Sequence, residues 1–270
     1  MKITRSVILI LIALITFHCN KINGESENEL LPIEGDINFS IREIHRNYNE
    51  TSEPEIFISF STEKIYPCCN YPIIFNPFKS AHHILLSLYG IEVPDMCLPA
   101  LGPACGGYFL DIDNGKYNLC FRYRDIDDRY VINVSDTSIV ITETEPQYTK
   151  TGYNVYWRYP PNSFAYLCGT TTETSWICEN FLNSLKNAVN ISEFQFPGYG
   201  QIPYPPSSAG HYYDMPAKYF YYEKENDFET AGEVLRAYSE NVVIQYSGVG
   251  ISLINWKNKK FLSWLFTTKE

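Results

Sequence analysis

Residues 106–142 read GGYFLDIDNGKYNLCFRYRDIDDRYVINVSDTSIVIT, and this segment carries the clearest structural signal in the chain. Apolar and polar residues alternate from Tyr117 to Tyr123, which predicts a strand with one face toward a core and one toward water. Asn114-Gly115 supplies the positive φ angles of a two-residue hairpin turn, and Asp136-Thr137 marks another turn. The segment therefore predicts four short strands joined by tight turns.

The pentapeptide at 113–117, DNGKY, resembles the Tyr corner of immunoglobulin-like sandwiches, where a Tyr at the start of a strand bonds back to nearby backbone. In antibody domains a Cys stands two residues after this Tyr, whereas this chain has Leu119 there and Cys120 one position later. Cys120 is therefore expected on the other face of the strand. The resemblance implies an immunoglobulin-like β-sandwich without the usual central disulfide.

Further strands are predicted upstream of this segment. Short apolar alternations occur at 37–41, 56–60 and 84–88, so residues 36–145 are expected to form the β-sandwich domain. Three prolines between the last two of these runs restrict that part of the chain to a sheet edge or to irregular structure, because proline cannot donate to a ladder. They are Pro67, Pro72 and Pro77.

The pattern changes at residues 146–151, which we interpret as a domain boundary. After it, apolar residues recur at helical spacing from Trp176 to Val189 and from Phe228 to Tyr238. Asn226 and Glu229 form a candidate capping pair for the second helix.

Short strands are expected around these helices, at 153–157, 194–196 and 219–222, with a final hairpin from Val242 to Phe261. The order strand, helix, strand, strand, helix, strand resembles a ferredoxin-like βαββαβ region and would make residues 146–270 an α+β domain. The alternative is that these elements extend the sandwich. The chain as a whole is expected to be mainly β with an α+β part.

The N-terminus predicts export. Lys2 and Arg5 precede an apolar run at 7–17 that is too short to span a bilayer comfortably. Residues 1–18 therefore have the form of a signal peptide. The polar and acidic residues 19–35 read as a flexible tether.

Cys19, which follows the apolar run, leaves two ways of processing the N-terminus open. An apolar run, a single Cys and then polar residues resemble a bacterial lipoprotein signal, which implies lipidation of Cys19 and a membrane anchor in the cell envelope or outer membrane. Cleavage after Gly24 would instead give a soluble secreted protein. In overall plan the chain resembles the uncharacterised cell-envelope lipoproteins of Gram-negative bacteria.

Seven cysteines follow Cys19, and in an exported chain they favour disulfides. Zinc is the rival interpretation, but no C-x-x-C pair and no paired His spacing supports it, so no metal or cofactor is expected. One thiol would be left over. The candidate pairs are Cys168 with Cys178, Cys97 with Cys105, and Cys69 or Cys68 with Cys120.

The chain carries 21 Lys and Arg against 31 Asp and Glu, which gives a formal net charge of −10. An acidic surface argues against nucleic acid as a partner and against electrostatic attachment to anionic membranes. A lipid anchor would need no basic patch of that kind.

Residues 196–222, here called the Tyr/Pro segment, have the most unusual composition, with seven Tyr and five Pro. Exposed Tyr on a rigid loop provides a recognition surface for sugar rings or for a protein ligand. The alternative is a long irregular connection that packs its own rings against the sheet. The candidate binding residues are Tyr199, Tyr204, His211, Tyr212 and Tyr213.

Three functions stay open. The first is an exported, lipid-anchored protein with a binding or structural role through the Tyr/Pro segment. The second is a secreted hydrolase that uses His211 and Asp214 in a cleft between the two domains, although no nucleophile motif such as G-x-S-x-G occurs and no catalytic residue is assigned. The third is a secreted host-directed effector, for which four Asn-x-Ser/Thr sequons provide glycosylation sites.

Overall fold

The computed structural model describes residues 30–144, 146–208 and 210–267. The predicted signal peptide, the Cys19 lipidation site and the tether up to residue 29 lie outside the described residues. Within them the chain is mainly β, with sixteen strands arranged in three sheets and two α-helices. Neither helix has the length and hydropathy that a membrane span requires.

The first ten strands form two sheets, one in the order β5-β2-β1-β9 and the other in the order β10-β8-β7-β6-β4-β3. Neighbours are antiparallel except β1 with β9 and β4 with β6. The strands are β1 (Ile37–Ile44), β2 (Glu55–Tyr66), β3 (Ile73–Ser80), β4 (His83–Ile91), β5 (Gly102–Phe109), β6 (Gly115–Tyr123), β7 (Ile126–Val134), β8 (Ser138–Glu143), β9 (Thr149–Thr151) and β10 (Val155–Trp157).

The inner faces of these two sheets meet in one apolar core, as the period-two pattern predicts. Phe39 of β1 packs against Phe121 of β6 and Tyr130 of β7, with ring centroids 4.9 and 4.8 Å apart. All three rings are buried. The two sheets therefore form a sandwich.

The four strands predicted in residues 106–142 are confirmed, but one of their turns is not. Asn114-Gly115 does not close a hairpin, because β5 pairs with β2 in one sheet and β6 pairs with β4 and β7 in the other. The turn instead carries the chain between the sheets. Just after it, Tyr117 Oη donates a hydrogen bond of 2.9 Å to the carbonyl oxygen of Asp113. The prolines do mark an edge, since β3, which contains Pro77, ends its sheet.

The sandwich has two distinct ends. The near end is the one at which the described chain begins. It carries Leu31, which exchanges backbone hydrogen bonds of 2.8 and 2.9 Å with Ile91 at the end of β4. Ile33 is buried in the core, so residues 30–35 pack on the sandwich and do not belong to the expected tether. The far end carries the loop 45–54 between β1 and β2.

The expected boundary at 146–151 is also displaced. β9 pairs with β1 and β10 pairs with β8, so the sandwich continues to Trp157. The third sheet begins after it and has the order β12-β14-β11-β15-β16, with β13 beside β11 and all pairs antiparallel. Its elements are β11 (Ser163–Thr170), α1 (Trp176–Ala188), β12 (Ile191–Phe194), β13 (Tyr213–Asp214), β14 (Lys218–Tyr222), α2 (Glu225–Asn241), β15 (Gly250–Asn255) and β16 (Lys260–Leu262).

Both faces of the third sheet are covered. The two helices pack on the face that carries Phe164 and Phe220, and the Tyr/Pro segment packs on the face that carries Ala165 and Leu167. All eight residues of β11 are consequently buried, which is why no alternation appears there in the sequence.

The ends of α2 differ from expectation. The cap is Lys224, whose backbone N–H donates 2.8 Å to the Asp227 carboxylate, and not the Asn226 and Glu229 pair. The alternation from Val242 to Tyr246 does not begin a hairpin, because α2 runs to Asn241 and a 3-10 turn follows at Val243–Gln245. The last hairpin is formed by β15 and β16 only.

Two disulfides are present among the described residues. Cys168 is bonded to Cys178, which ties β11 to α1. Cys97 is bonded to Cys68, so the pairing expected between Cys97 and Cys105 is wrong. Cys69, Cys105 and Cys120 are free, and the expected bond to Cys120 is therefore absent. The loop after β2 and the loop before β5 lie side by side, and this contact decides the pairing.

Candidate functional site

The Tyr/Pro segment divides its rings between the core and the surface. Tyr204 is only 2 % exposed, and its Oη donates 3.0 Å to the carbonyl oxygen of Ser163 at the start of β11. Its ring packs edge-on against Tyr159 and stacks on Tyr219, at centroid distances of 4.8 and 5.8 Å. Burial raises the pKa of Tyr204 well above its usual value. This ring therefore fixes the segment to the sheet, contrary to its predicted place on a binding surface.

Tyr199 is exposed but lies apart from the other candidates. Its carbonyl oxygen accepts a hydrogen bond of 2.8 Å from Trp157 Nε1, and the two rings meet at 5.6 Å. Trp157 belongs to β10 of the sandwich. Tyr199 thus marks the contact between the segment and the sandwich.

Tyr212 and Tyr213 project into solvent, with 86 % and 50 % of their surfaces exposed. β13 begins at Tyr213 and pairs with the end of β11, which fixes the backbone beneath both rings. Among the predicted binding residues, these two and Tyr199 have the exposure that contact with a ligand requires.

A groove of about 710 Å³ lies between the last part of the Tyr/Pro segment and the N-terminal half of α1. Tyr213 lines one side of the groove and Trp176, the first residue of α1, lines the other. Leu182 and Met215 contribute apolar surface between them.

Polar groups also line the groove. They are the Thr172 and Ser175 hydroxyls, the Glu179 carboxylate and the Lys218 ammonium. Apolar surface with a few polar groups around it is the usual composition of a ligand site.

Trp176 was missed by sequence reasoning, which assigned it to the buried face of the helix. The structure leaves it 47 % exposed, with its ring edge-on to Tyr246 at 5.7 Å. Its place at the very first position of the helix, directly after Ser175, was the available signal. A residue there has no preceding turn to cover it.

The base of the groove is rigid. The disulfide from Cys168 to Cys178 holds the first turn of α1 against β11. Tyr166 Oη donates 2.7 Å to the carbonyl oxygen of Cys178, and burial raises the pKa of Tyr166. The first turn of α1, which carries Trp176, is therefore held in place before any ligand binds.

His211 and Asp214 do lie together, beside the groove. Oδ1 of Asp214 is 3.3 Å from Nδ1 of His211, which is ion-pair distance, but it is buried and forms no hydrogen bond within the described residues. Ser208 Oγ lies 3.2 Å from the same Nδ1. A catalytic relay needs the hydroxyl and the carboxylate on different ring nitrogens. The geometry therefore favours an anchoring role for His211.

The junction between the sandwich and the third sheet forms a separate cleft of about 640 Å³. It is lined by residues that include Glu43, His45, Tyr159 and Lys260, and neither His211 nor Asp214 is among them. His45 Nε2 donates a hydrogen bond of 2.9 Å to the carbonyl oxygen of Trp256, and burial lowers the pKa of His45. Glu43 is paired with Arg158 at 2.7 Å, so this cleft is largely a structural joint.

The described residues contain no group of three His, Cys, Asp or Glu side chains placed to hold a metal ion. In comparisons with known proteins, no family model, no curated protein and no solved structure matches this chain.

Proposed function

We propose that this is an exported, lipid-anchored envelope protein that binds a carbohydrate in the groove between α1 and the Tyr/Pro segment. The observation that carries the proposal is the pair of exposed rings from Trp176 and Tyr213 that line that groove, with the exposed ring of Tyr212 next to Tyr213 in the chain. Clustered apolar surface of this kind marks an interaction site more often than scattered single residues do.

The chemistry of the groove favours a sugar over an apolar ligand. The apolar face of a pyranose ring stacks on an aromatic ring, and its hydroxyls need hydrogen-bond partners nearby. Thr172 and Ser175, just before α1, and Glu179 in its first turn supply such partners. A purely apolar ligand would displace water from the Thr172 hydroxyl and the Glu179 carboxylate without replacing their hydrogen bonds, which costs binding free energy.

Two finer fold assignments belong to the same proposal. The order β12-β14-β11-β15, with antiparallel neighbours and both helices on one face, supports a ferredoxin-like arrangement of the third sheet. The bond from Tyr117 to Asp113 supports an immunoglobulin-like sandwich. Neither assignment carries a function by itself.

Export is supported by the two disulfides, because such bonds persist mainly in oxidising compartments. The intact mass of the protein from its native host tests the anchor. Acyl chains on Cys19 would support an envelope lipoprotein, whereas cleavage near Gly24 with glycans would favour the secreted effector.

Binding is tested by isothermal titration calorimetry of the protein with soluble oligosaccharides of glucose, mannose and N-acetylglucosamine. We expect saturable binding that Tyr213→Ala and Trp176→Ala each abolish, with circular dichroism unchanged. Tyr199→Ala is the matched control, because Tyr199 is an exposed ring of the same segment outside the groove. No binding of any sugar, or equal loss in the control, would overturn the proposal.

A further inference from the structure

The near end of the sandwich exposes a cluster of apolar side chains on one short loop. Residues 92–101, here called the apolar loop, connect β4 to β5. Met96 and Leu101 are 75 % and 78 % exposed, and Val93 and Leu98 are about half exposed. Four large apolar side chains in ten residues is far from the scattered exposure of an ordinary surface.

The backbone of the apolar loop is held from below. Cys97 is bonded to Cys68 in the loop after β2. Asn70 clamps the same loop from both sides, because its Nδ2 donates 2.7 Å to the carbonyl oxygen of Met96 and its Oδ1 accepts 3.0 Å from the N–H of Leu98. The side chains are therefore displayed on a fixed frame, and little conformational entropy is lost when they are covered.

The position of the apolar loop next to the start of the described chain indicates that a membrane covers it. The chain enters the described structure at Leu30, and Leu31 bonds to Ile91, the residue that directly precedes the apolar loop. The expected lipidated residue is Cys19, and the residues between it and Leu30 can span roughly 35 Å at full extension. A lipid anchor therefore keeps this end of the sandwich within roughly 35 Å of the bilayer and makes it the end that enters the membrane surface first.

The rest of the molecule lies toward the opposite end. The third sheet contacts the far end of the sandwich through the turn between β15 and β16. Asn258 Nδ2 donates a hydrogen bond of 2.8 Å to the carbonyl oxygen of Tyr48, and the carbonyl oxygen of Trp256 accepts one of 2.9 Å from His45 Nε2. The groove of Trp176 and Tyr213 belongs to that third sheet.

We propose that the apolar loop inserts Met96, Leu98 and Leu101 into the surface of a lipid bilayer. The sandwich then stands on the membrane and holds the third sheet away from it. This inference rests on the proposed lipid anchor. Glu92 and Asp95 flank the apolar side chains, so the loop suits a neutral lipid surface better than an anionic one.

The experiment uses the full mature protein reconstituted in phosphatidylcholine vesicles whose acyl chains carry bromine, which quenches nearby tryptophan. One variant is Leu98→Trp, and the matched control is Tyr48→Trp, an exposed position at the far end. We expect the added fluorescence at position 98 to shift to the blue and to be lost to quenching. The signal at position 48 should match that in unbrominated vesicles.

The outcomes separate the loop from the anchor. Equal signals at positions 98 and 48, in protein that carries acyl chains and floats with the vesicles, would overturn the loop assignment and leave the anchor intact. If the mass shows no acyl group, the anchor fails; quenching at position 98 would then support the loop acting alone, and its absence would overturn both.

A partner other than a lipid bilayer would change the fluorescence at position 98 in a different way. A blue shift at position 98 that depends on protein concentration without lipid would assign the loop to a second copy of the chain and overturn the proposal. As a second variant, Leu98→Asp should lower the retention of the unacylated Cys19→Ser protein on the same vesicles, with its circular dichroism unchanged. Equal retention of the two proteins would also overturn it.

Discussion

The imidazole of His211 lies over Gly169 in the space that a side chain would need. A Cβ at position 169 would stand 2.8 Å from the Cβ of His211 and closer still to its Nδ1. A Cβ at Gly250, on the neighbouring strand β15, would stand 2.8 Å from Cε1 of the same ring. The close packing of His211 on these two glycines therefore holds the Tyr/Pro segment on the third sheet.

Gly169→Ala should displace His211 and loosen the exposed part of the segment. Overpacking of this kind costs about 1–3 kcal/mol of the free energy of unfolding. Urea denaturation measures that loss, and limited proteolysis between residues 198 and 216 should accelerate. Gly198→Ala is the control, because a Cβ there meets nothing within 4 Å. Adding His211→Ala to Gly169→Ala should recover part of the lost stability. No recovery would contradict the close packing of His211 on Gly169.

Glu43→Gln should destabilise the junction between the sandwich and the third sheet. The Glu43 carboxylate is buried, and it accepts from Arg158 Nε and from the Tyr159 N–H, both at 2.7 Å. Removing its charge leaves Arg158 without its carboxylate, which we expect to cost about 3 kcal/mol in urea denaturation.

Glu55→Gln is the matched control for that change. Glu55 makes the same contact with Arg46, at 2.7 and 2.8 Å, but on the exposed surface. Exposed ion pairs are worth at most about 1 kcal/mol, so the control should lose little. Equal losses in the two variants would show that burial does not strengthen the junction.

Replacing Cys168 and Cys178 together with Ala should lower the free energy of unfolding by about 3 kcal/mol, because the bond closes a short loop in the unfolded chain. Cys69→Ser, which removes an exposed free thiol, is the control. Intact mass provides an independent check. Two disulfides mean a gain of four hydrogens on reduction from the described cysteines, and a gain of six would contradict the pairing.

Arg122→Gln should change the acid stability of the sandwich. The Arg122 guanidinium, with a smaller contribution from Arg129, lowers the pKa of Asp127 from 3.8 to about 2. A lowered carboxyl pKa stabilises the fold above the unfolded pKa, and this stability is lost as the pH falls through the folded pKa.

The difference in urea midpoint between wild type and Arg122→Gln should therefore be constant above about pH 5 and fall to a small fraction of that value near pH 2, the folded pKa. Since the pair is partly exposed, added salt should reduce the difference. A difference that persisted undiminished at pH 2 would mean that Arg122 acts through packing and not through Asp127.

Local pattern predicted both helices and many of the strands, but it missed β11, which is buried on both faces, and wrongly predicted a strand from Val242 to Tyr246. The alternation around Phe121 predicted β6, and the helical spacing from Trp176 to Val189 predicted α1 almost to the residue. Pro77 predicted an edge strand, because the missing N–H is a property of one residue. Such signals depend on residues that are close together in the sequence, so they can be interpreted without knowing the tertiary structure.

The sequence by itself therefore determined the half-buried strands with an alternating pattern, the two helices and the acidic charge of the chain. The tertiary structure decided which sheet Val155–Trp157 joins, which Cys bonds to Cys97, and that Tyr204 is buried while Tyr212 is exposed. Each of these outcomes depends on partners distant in the chain. Identical Tyr side chains on one segment carry no local mark of which face will be covered, because burial is fixed only when the sheet and the segment pack together.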